Sequence, residues 1–312
     1  MYKVYVDGQH GTTGLLVNER LENHPNVSLL KIDYHERHNL EARKALLNEA
    51  DIVFLCLPDL AAKESVAMIT NPMTKVIDAS TAHRTHAEWT YGFAELSDEH
   101  RQAIRTSKRL SNPGCHATAA ISILYPLIQA KILDADTSLS FFSLTGYSGG
   151  GKQMIETYQT TTDMAYQAPM QYALNLSHKH VPEIMVQAGL KQRPIFMPIV
   201  GNFERGLAVT VPLTLDAFKK TMTKQMCASI LQEHYKDAHY VRVHCADDDA
   251  SLIENRMNIQ MNNYTNYLDI FVFGNDTQLQ CIACLDNLGK GASGAAIQNM
   301  NIMLGLEENT GL

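Results

Sequence analysis

The chain has 312 residues, 45% of them hydrophobic and 19% charged, enough for a sizeable core in about two domains without disulfide staples. Its formal charge of −7 is spread along the sequence with no basic block, which argues against a nucleic-acid partner. No stretch approaches the roughly 18 uninterrupted apolar residues of a membrane span; the start carries no leader pattern, and six irregularly spaced cysteines suit a reducing compartment. A cytoplasmic protein with no membrane partner is expected.

Residues 3–7 read as a buried strand that runs into Gly8, Gln9, His10, Gly11, Thr12, Thr13 and Gly14, followed by the helical pattern Leu15, Leu16, Val17, Leu21. A glycine-rich turn between strand and helix lets the backbone approach a pyrophosphate, which the helix N-terminus then binds. The spacing G-x-x-G-x-x-G is a variant of the dinucleotide fingerprint, and taken alone it fits a tight packing turn equally well. The next elements strengthen the ligand reading: a strand at 27–32, a helix at 40–49, an apolar strand at 52–57 ended by Pro58, a helix at 61–69 and a strand at 75–78. Alternation of apolar strands with helices predicts a parallel sheet covered on both faces, and so a dinucleotide-binding domain over residues 1–114. Asp33, just after the second strand, resembles the acid that binds the ribose hydroxyls of NAD, whereas Lys31, Arg37 and His38 nearby suit a 2′-phosphate. The reading favours NADPH, through Arg37.

Asp78, Ala79, Ser80, Thr81, Ala82, His83 and Arg84 follow the fourth strand, where ligands of parallel sheets sit, and Arg84 offers a fork for carboxylate or phosphate. In Ser111, Asn112, Pro113, Gly114, Cys115, His116, the Asn-Pro-Gly turn stops the chain just before an alanine-rich apolar run and puts a thiol on the first turn of a helix. Unpaired N–H groups and the positive end of the helix dipole favour a thiolate there and can cradle an oxyanion formed at the same sulfur.

Beyond residue 130 the pattern changes to strands at 138–145, 195–200, 207–215, 240–243, 267–273 and 278–285, the last two a hairpin, with one amphipathic helix over 217–234 after Asp216. Residues 115–286 therefore read as a mostly antiparallel α+β domain. Residues 287–312 read as a small-residue-rich helix returning to the first domain. Cys281 and Cys284 form a C-x-x-C inside a strand with no second pair, which reads as core packing; no metal site is expected. Thr145, Gly146, Tyr147, Ser148, Gly149, Gly150, Gly151 end another strand in N–H groups suited to an anion, unless they are simply a flexible loop. His178 and His180 stand in a polar stretch before Pro182 and Glu183; imidazole can deprotonate a thiol and reprotonate an alkoxide, and Glu183 could orient a ring.

The order and spacing of residues 8–14, 55–59, 78–84, 111–118, 146–152, 178–184 and 286–301 resemble the short form of the N-acetyl-gamma-glutamyl-phosphate reductases over nearly the whole chain. Ser-Asn-Pro-Gly-Cys, His-x-His-x-Pro-Glu and Asp-Asn-Leu-x-Lys-Gly-Ala together are far more specific than any one piece. The resemblance implies an α/β architecture related to aspartate-semialdehyde dehydrogenase and glyceraldehyde-3-phosphate dehydrogenase: a Rossmann-type domain plus an α+β catalytic and dimerisation domain. It implies NADP(H), a small acyl phosphate as substrate, release of inorganic phosphate, a place in arginine biosynthesis, and a homo-oligomer, dimer or tetramer. By the same resemblance Cys115 is the nucleophile and His180 the acid/base, with His178 its competitor. Gly8, Gly11, Thr12, Thr13, Gly14, Leu57, Pro58, Asn287 and Gly291 border the cofactor, and Arg84, Ser148, Gly149 and Glu183 the substrate. An aspartate-semialdehyde or aminoadipate-type enzyme would use the same cysteine chemistry on another acyl phosphate. A non-catalytic nucleotide-binding redox sensor is the reading from a different class.

Overall fold

Val4, Tyr5 and Val6 are buried in succession, as a strand covered on both faces requires, and form β1 (Tyr2–Asp7). The computed structural model describes residues 1–244 and 252–312. After β1 come α1 (Thr12–Glu22), β2 (Val27–Leu30), α2 (Leu40–Glu49), β3 (Ile52–Leu55), α3 (Asp59–Met68), β4 (Lys75–Asp78), β5 (Thr90–Tyr91), α4 (Asp98–Thr106) and β6 (Arg109–Ser111). The six strands form one sheet in the order β2-β1-β3-β4-β6-β5, every pair parallel. Asn39 caps α2 through the N–H groups of Glu41 and Ala42, and Ser97 caps α4 through that of His100. Val4, Val6, Val17, Phe54 and Ile77 pack on one side of the sheet, and Tyr5, Leu47, Val53, Leu55 and Val76 on the other.

The strand order reverses between β1 and β3, so a crevice opens outside their carboxyl ends. Gly8 turns the chain there at φ +91°, a region that strains L side chains, and a Cβ would lie 2.3 Å from the Cys56 carbonyl oxygen. Gly8→Ala is therefore expected to lower the unfolding free energy by more than about 2 kcal/mol, from left-handed strain plus a backbone clash. Urea denaturation would show it as a reduced midpoint at unchanged slope.

The second run of elements is α5 (Cys115–Gln129), β7 (Ser140–Gly146), α6 (Lys152–Thr160), β8 (Met170–Gln171), α7 (Val181–Ala188), β9 (Ile195–Gly201), β10 (Leu207–Thr214), α8 (Lys224–His234), β11 (Val241–His244), β12 (Leu252–Ile253), β13 (Arg256–Met257), β14 (Leu268–Gly274) and β15 (Gln278–Leu285). Seven of these strands make a mixed sheet in the order β11-β14-β15-β10-β7-β9-β8. β14 and β15 form the expected hairpin, but β7 with β9 and β11 with β14 are parallel. A parallel pair needs a crossover, which is where α6 and α7 lie, in a stretch that reads from sequence as lacking regular helices. The helix expected from residue 217 starts at Lys224, capped by Thr223, after a separate 3₁₀ turn at Leu215–Ala217. α5 is buried around most of its circumference because it packs against β10, β15, α7 and α8.

The last helix, α9 (Gly294–Leu304), puts Ala296, Ile297 and Met300 into the same core as Val4 and Phe54. By internal contacts the chain divides into Met1–Gly114 with Ala292–Leu312, and Cys115–Gly291. Asn287 to Gly291 thus fall with the second unit. The architecture is α/β, a Rossmann-type parallel sheet and an α+β unit, in agreement with the sequence reading. Among the described residues no helix is long and apolar enough to cross a membrane.

Candidate active site

In the first unit the glycine turn closes on itself: Gly11 N–H donates to the Gly8 carbonyl at 3.1 Å, and a Cβ on Gly14 would lie 2.2 Å from that oxygen. Gly11 is the N-cap of α1 and supplies no side-chain cap, so the N–H groups of Thr12, Thr13 and Gly14 stay available to an anion. Leu57 borders the turn, its Cδ2 being 3.0 Å from where a Gly8 Cβ would stand, and Pro58 is the N-cap of α3. A cradle that any Cβ would fill, joined to an uncapped helix end, fits a dinucleotide diphosphate. Beyond β2, the Asp33 carboxylate accepts the His35 N–H at 2.8 Å as a turn cap. Arg37 lies with its guanidinium 3.7 Å from the Tyr34 ring centroid, and the same ring meets His10 edge-on at 5.1 Å.

At the end of β4, the buried Asp78 accepts from the Ser80 hydroxyl at 2.8 Å and pairs with His83 Nδ1 at 2.6 Å, while the His83 ring stacks on Trp89 at 3.9 Å. This network holds the loop that carries Arg84. Arg84 is itself buried, donating from Nε to the Asn112 carbonyl and from Nη2 to the Ala79 carbonyl, both at 2.9 Å.

In the second unit Cys115 is the first residue of α5 and is partly exposed, whereas Cys227, Cys281 and Cys284 are buried. Burial pushes the Cys284 thiol up to about 12, so it is no nucleophile at neutral pH. Cys281 lies 3.9 Å, sulfur to sulfur, from Cys227 on α8, while Cys284 Sγ meets the Ile259 carbonyl, so the C-x-x-C is not a single thiol pair. Gly291 packs against the Cys115 side chain: a Cβ on Gly291 would stand 2.7 Å from the Cys115 Cβ.

One ligand atom each from Cys115, His116 and His180 lie within 4.8 Å of one another. His180 is the buried N-cap residue of α7, with Pro182 in the first turn, where a missing N–H costs nothing. Its backbone N–H donates to His178 Nδ1 at 3.2 Å, and the two rings meet edge-on at 4.9 Å. Burial, then the charge of Lys179, pushes His178 down to about 4. Glu183 is buried in the first turn of α7. In the same unit Ser148 and Asn287 are joined: Asn287 Nδ2 donates to Ser148 Oγ at 2.9 Å, and its Oδ1 accepts the Gly206 N–H at 2.9 Å. Gly149 is exposed beside this pair, with a Cβ placed 3.4 Å from Asn287 Nδ2.

Three residues of this cluster escape the sequence reading. His116 bridges Ser143 Oγ (Nδ1, 2.8 Å) and the Tyr172 hydroxyl (Nε2, 3.0 Å), and burial first, then neighbouring His178 and Lys179, pushes it down to about 3. Burial, then the Cys115 charge, pushes the Tyr172 hydroxyl upward. His116 carries a usable signal, its place directly after the cysteine, but Tyr172 and Ser143 arrive by tertiary structure alone.

Two family models match: a semialdehyde dehydrogenase NAD binding domain over residues 3–104, and a semialdehyde dehydrogenase dimerisation domain over residues 115–287. Among curated relatives, the N-acetyl-gamma-glutamyl-phosphate reductase of Burkholderia cenocepacia is 44% identical over 305 residues, covering 97% of each chain. That of Mesorhizobium japonicum is 43% identical over 97% of this chain and 99% of its own. N-acetyl-gamma-glutamyl-phosphate reductase 2 of Pseudomonas putida is 42% identical over 97% of this chain and 96% of its own. Among solved structures, aspartate semialdehyde dehydrogenase from Francisella tularensis superposes with a TM-score of 0.72 at 13% identity, over 97% of this chain and 100% of its own. That likeness speaks for the fold alone.

Proposed function

The chain belongs to the semialdehyde dehydrogenase family, among its N-acetyl-gamma-glutamyl-phosphate reductases, and we propose that Cys115 carries the acyl group when N-acetyl-L-glutamyl 5-phosphate is reduced to the 5-semialdehyde. The observation that carries this reading is a partly exposed thiol at the start of α5 within 4.8 Å of two imidazoles. Aspartate-semialdehyde chemistry is the weaker reading, since its solved examples share only 13% identity with the chain. The cysteine and its imidazoles speak against a sensor without turnover.

His180 accepts the Cys115 proton, and the thiolate attacks the acyl carbon and expels inorganic phosphate to leave a thioester. We assign the stabilisation of charge on the acyl oxygen to N–H groups in the first turn of α5, where the helix dipole favours it. A reduced nicotinamide held at the glycine turn would supply the hydride. His180 then gives its proton to the oxygen, takes it back as the thiohemiacetal collapses to aldehyde and thiolate, and finally returns it to the Cys115 sulfur. Asn287, through Ser148 and Gly206, fixes the loop that carries Gly149, and Gly291 leaves room for the Cys115 Cβ. We assign Arg84, Ser148 and Gly149 to the anionic ends of the substrate, and Glu183 to the support of the His180 turn. Gly8, Gly11, Thr12, Thr13, Gly14, Leu57 and Pro58 would hold the cofactor's diphosphate side. We assign the reaction to arginine biosynthesis and propose the cytoplasm as its compartment. For assembly, part of one face of the seven-stranded sheet is open around β7 and β9, where Phe142 and Ile195 are 43% and 50% exposed, which suits a homo-oligomeric contact.

NADPH is the proposed reductant, because Asp33 is engaged as a turn cap and Arg37 sits over the Tyr34 ring, which itself meets His10 of the glycine turn. Arg37→Ala should raise the KM for NADPH about 10- to 100-fold, the worth of a charge-assisted phosphate contact, and leave the KM for NADH unchanged. The experiment that tests the function is a comparison of N-acetylglutamate semialdehyde with aspartate semialdehyde, in the phosphate-dependent oxidising direction, with each nicotinamide. Preference for aspartate semialdehyde would overturn the substrate.

A further inference from the structure

Two side chains that would run the reaction, Cys115 and His180, belong with His116 to a metal-ligand set. One thiol and two imidazoles, Cys115, His116 and His180, offer ligand atoms that all lie within 4.8 Å of one another. A tetrahedral zinc ion with Zn–S about 2.3 Å and Zn–N about 2.0–2.1 Å needs its ligand atoms roughly 3.5 Å apart, so closure asks for about an ångström of side-chain rotation. Two features prepare the site for a soft divalent cation. His116 is held at Nδ1 by the Ser143 hydroxyl at 2.8 Å, an arrangement that fixes ring orientation and tautomer as the outer hydrogen-bond partner of a metal-bound histidine does. Its other nitrogen meets a hydroxyl, that of Tyr172 at 3.0 Å, an exchangeable contact. Cys115 is partly exposed, which gives an ion an entry path and leaves a fourth position for water.

We infer that Cys115, His116 and His180 form a reversible inhibitory site for zinc, in which one ion displaces the thiol proton, binds sulfur and both imidazoles, and holds the nucleophile away from acyl phosphate. The inference builds on Cys115's place in the proposed reaction, but binding can be read without turnover. No electron is transferred: a Zn–S bond forms, the thiol proton leaves to solvent, and a chelator restores the free thiol.

The test uses the full-length reduced protein, freed of metal, with Co²⁺ as a spectroscopic probe and Zn²⁺ as competitor. Expected is one equivalent of Co²⁺ bound with a sulfur-to-metal charge-transfer band and the intense visible bands of tetrahedral cobalt, both erased by Zn²⁺. Zn²⁺ should also block alkylation of Cys115, with EDTA restoring it, and binding should tighten as pH rises because a proton is released. Ser143→Ala should weaken Zn²⁺ about 10- to 100-fold, as loss of an outer partner does, and His116→Gln by more than that. Persistence of the charge-transfer band in Cys115→Ser, or equal Zn²⁺ affinity in wild type and His116→Gln, would overturn the site. Absence of reductase activity with these bands intact would overturn the proposed reaction instead, so the two failures are separable.

Discussion

Cys115→Ser should fold, retain its cofactor affinity and lose at least about 10⁴-fold in kcat, the scale on which removal of a covalent nucleophile acts. The seat of the residue explains the selectivity of the effect. Cys115 is half-buried at the first turn of α5, so replacing Sγ by Oγ removes little packing, whereas a serine hydroxyl has none of the thiol's nucleophilicity near neutral pH. Its polar neighbours, His116 and His180, keep their own anchors in the Ser143 hydroxyl and the α7 N-terminus. Thermal unfolding and fluorescence titration with NADPH read the intact side of this expectation. Single-turnover release of phosphate reads the lost side, and turnover above a hundredth of wild type would remove the thioester route.

The fold was legible wherever burial follows sequence period. β4 lies where the apolar pattern puts it, because Val76 and Ile77, buried in succession, mark a parallel strand covered on both faces. The glycine turn was legible for a different reason: Gly8 and Gly14 sit where no Cβ fits, so the residue type itself records the backbone. α4 was missed although Ser97 caps it and Ile104 anchors its apolar side, since with one buried residue it reads as a polar stretch. α6, with no buried residue, leaves no hydrophobic stripe at all. Mixed pairing in the second sheet was hidden because strand sequences state burial and not direction, and β7 pairs with a strand about fifty residues further along the chain.

The site divides in the same way. Cys115, His178 and His180 declare themselves by residue type beside a turn or a proline, but which imidazole faces the sulfur depends on the turn that begins α7. Arg84 stands out as a fork, yet two of its donors go to the Asn112 and Ala79 carbonyls, which the sequence gives no means to foresee. Tyr172 reaches His116 across 56 residues of chain and leaves no local trace.

That turn is the basis for separating the two histidines by experiment. His180 belongs to the cluster with Cys115, whereas His178 spends Nδ1 as the acceptor of the His180 N–H and is pushed down to about 4. His180→Gln should therefore lower kcat by about 10²- to 10⁴-fold, the usual worth of a positioned acid/base. His178→Gln should lower it far less, through the slackened turn. The pH profile discriminates where magnitudes overlap. A base titrating near 4 is neutral throughout pH 5 to 8, and His116, down at about 3, is neutral there as well, so neither generates an acid limb of kcat/KM in that interval. A limb found there should persist in His178→Gln and disappear from the residual activity of His180→Gln. The opposite pattern would hand the proton transfer to His178 and would require the α7 N-terminus to reorganise when substrate binds.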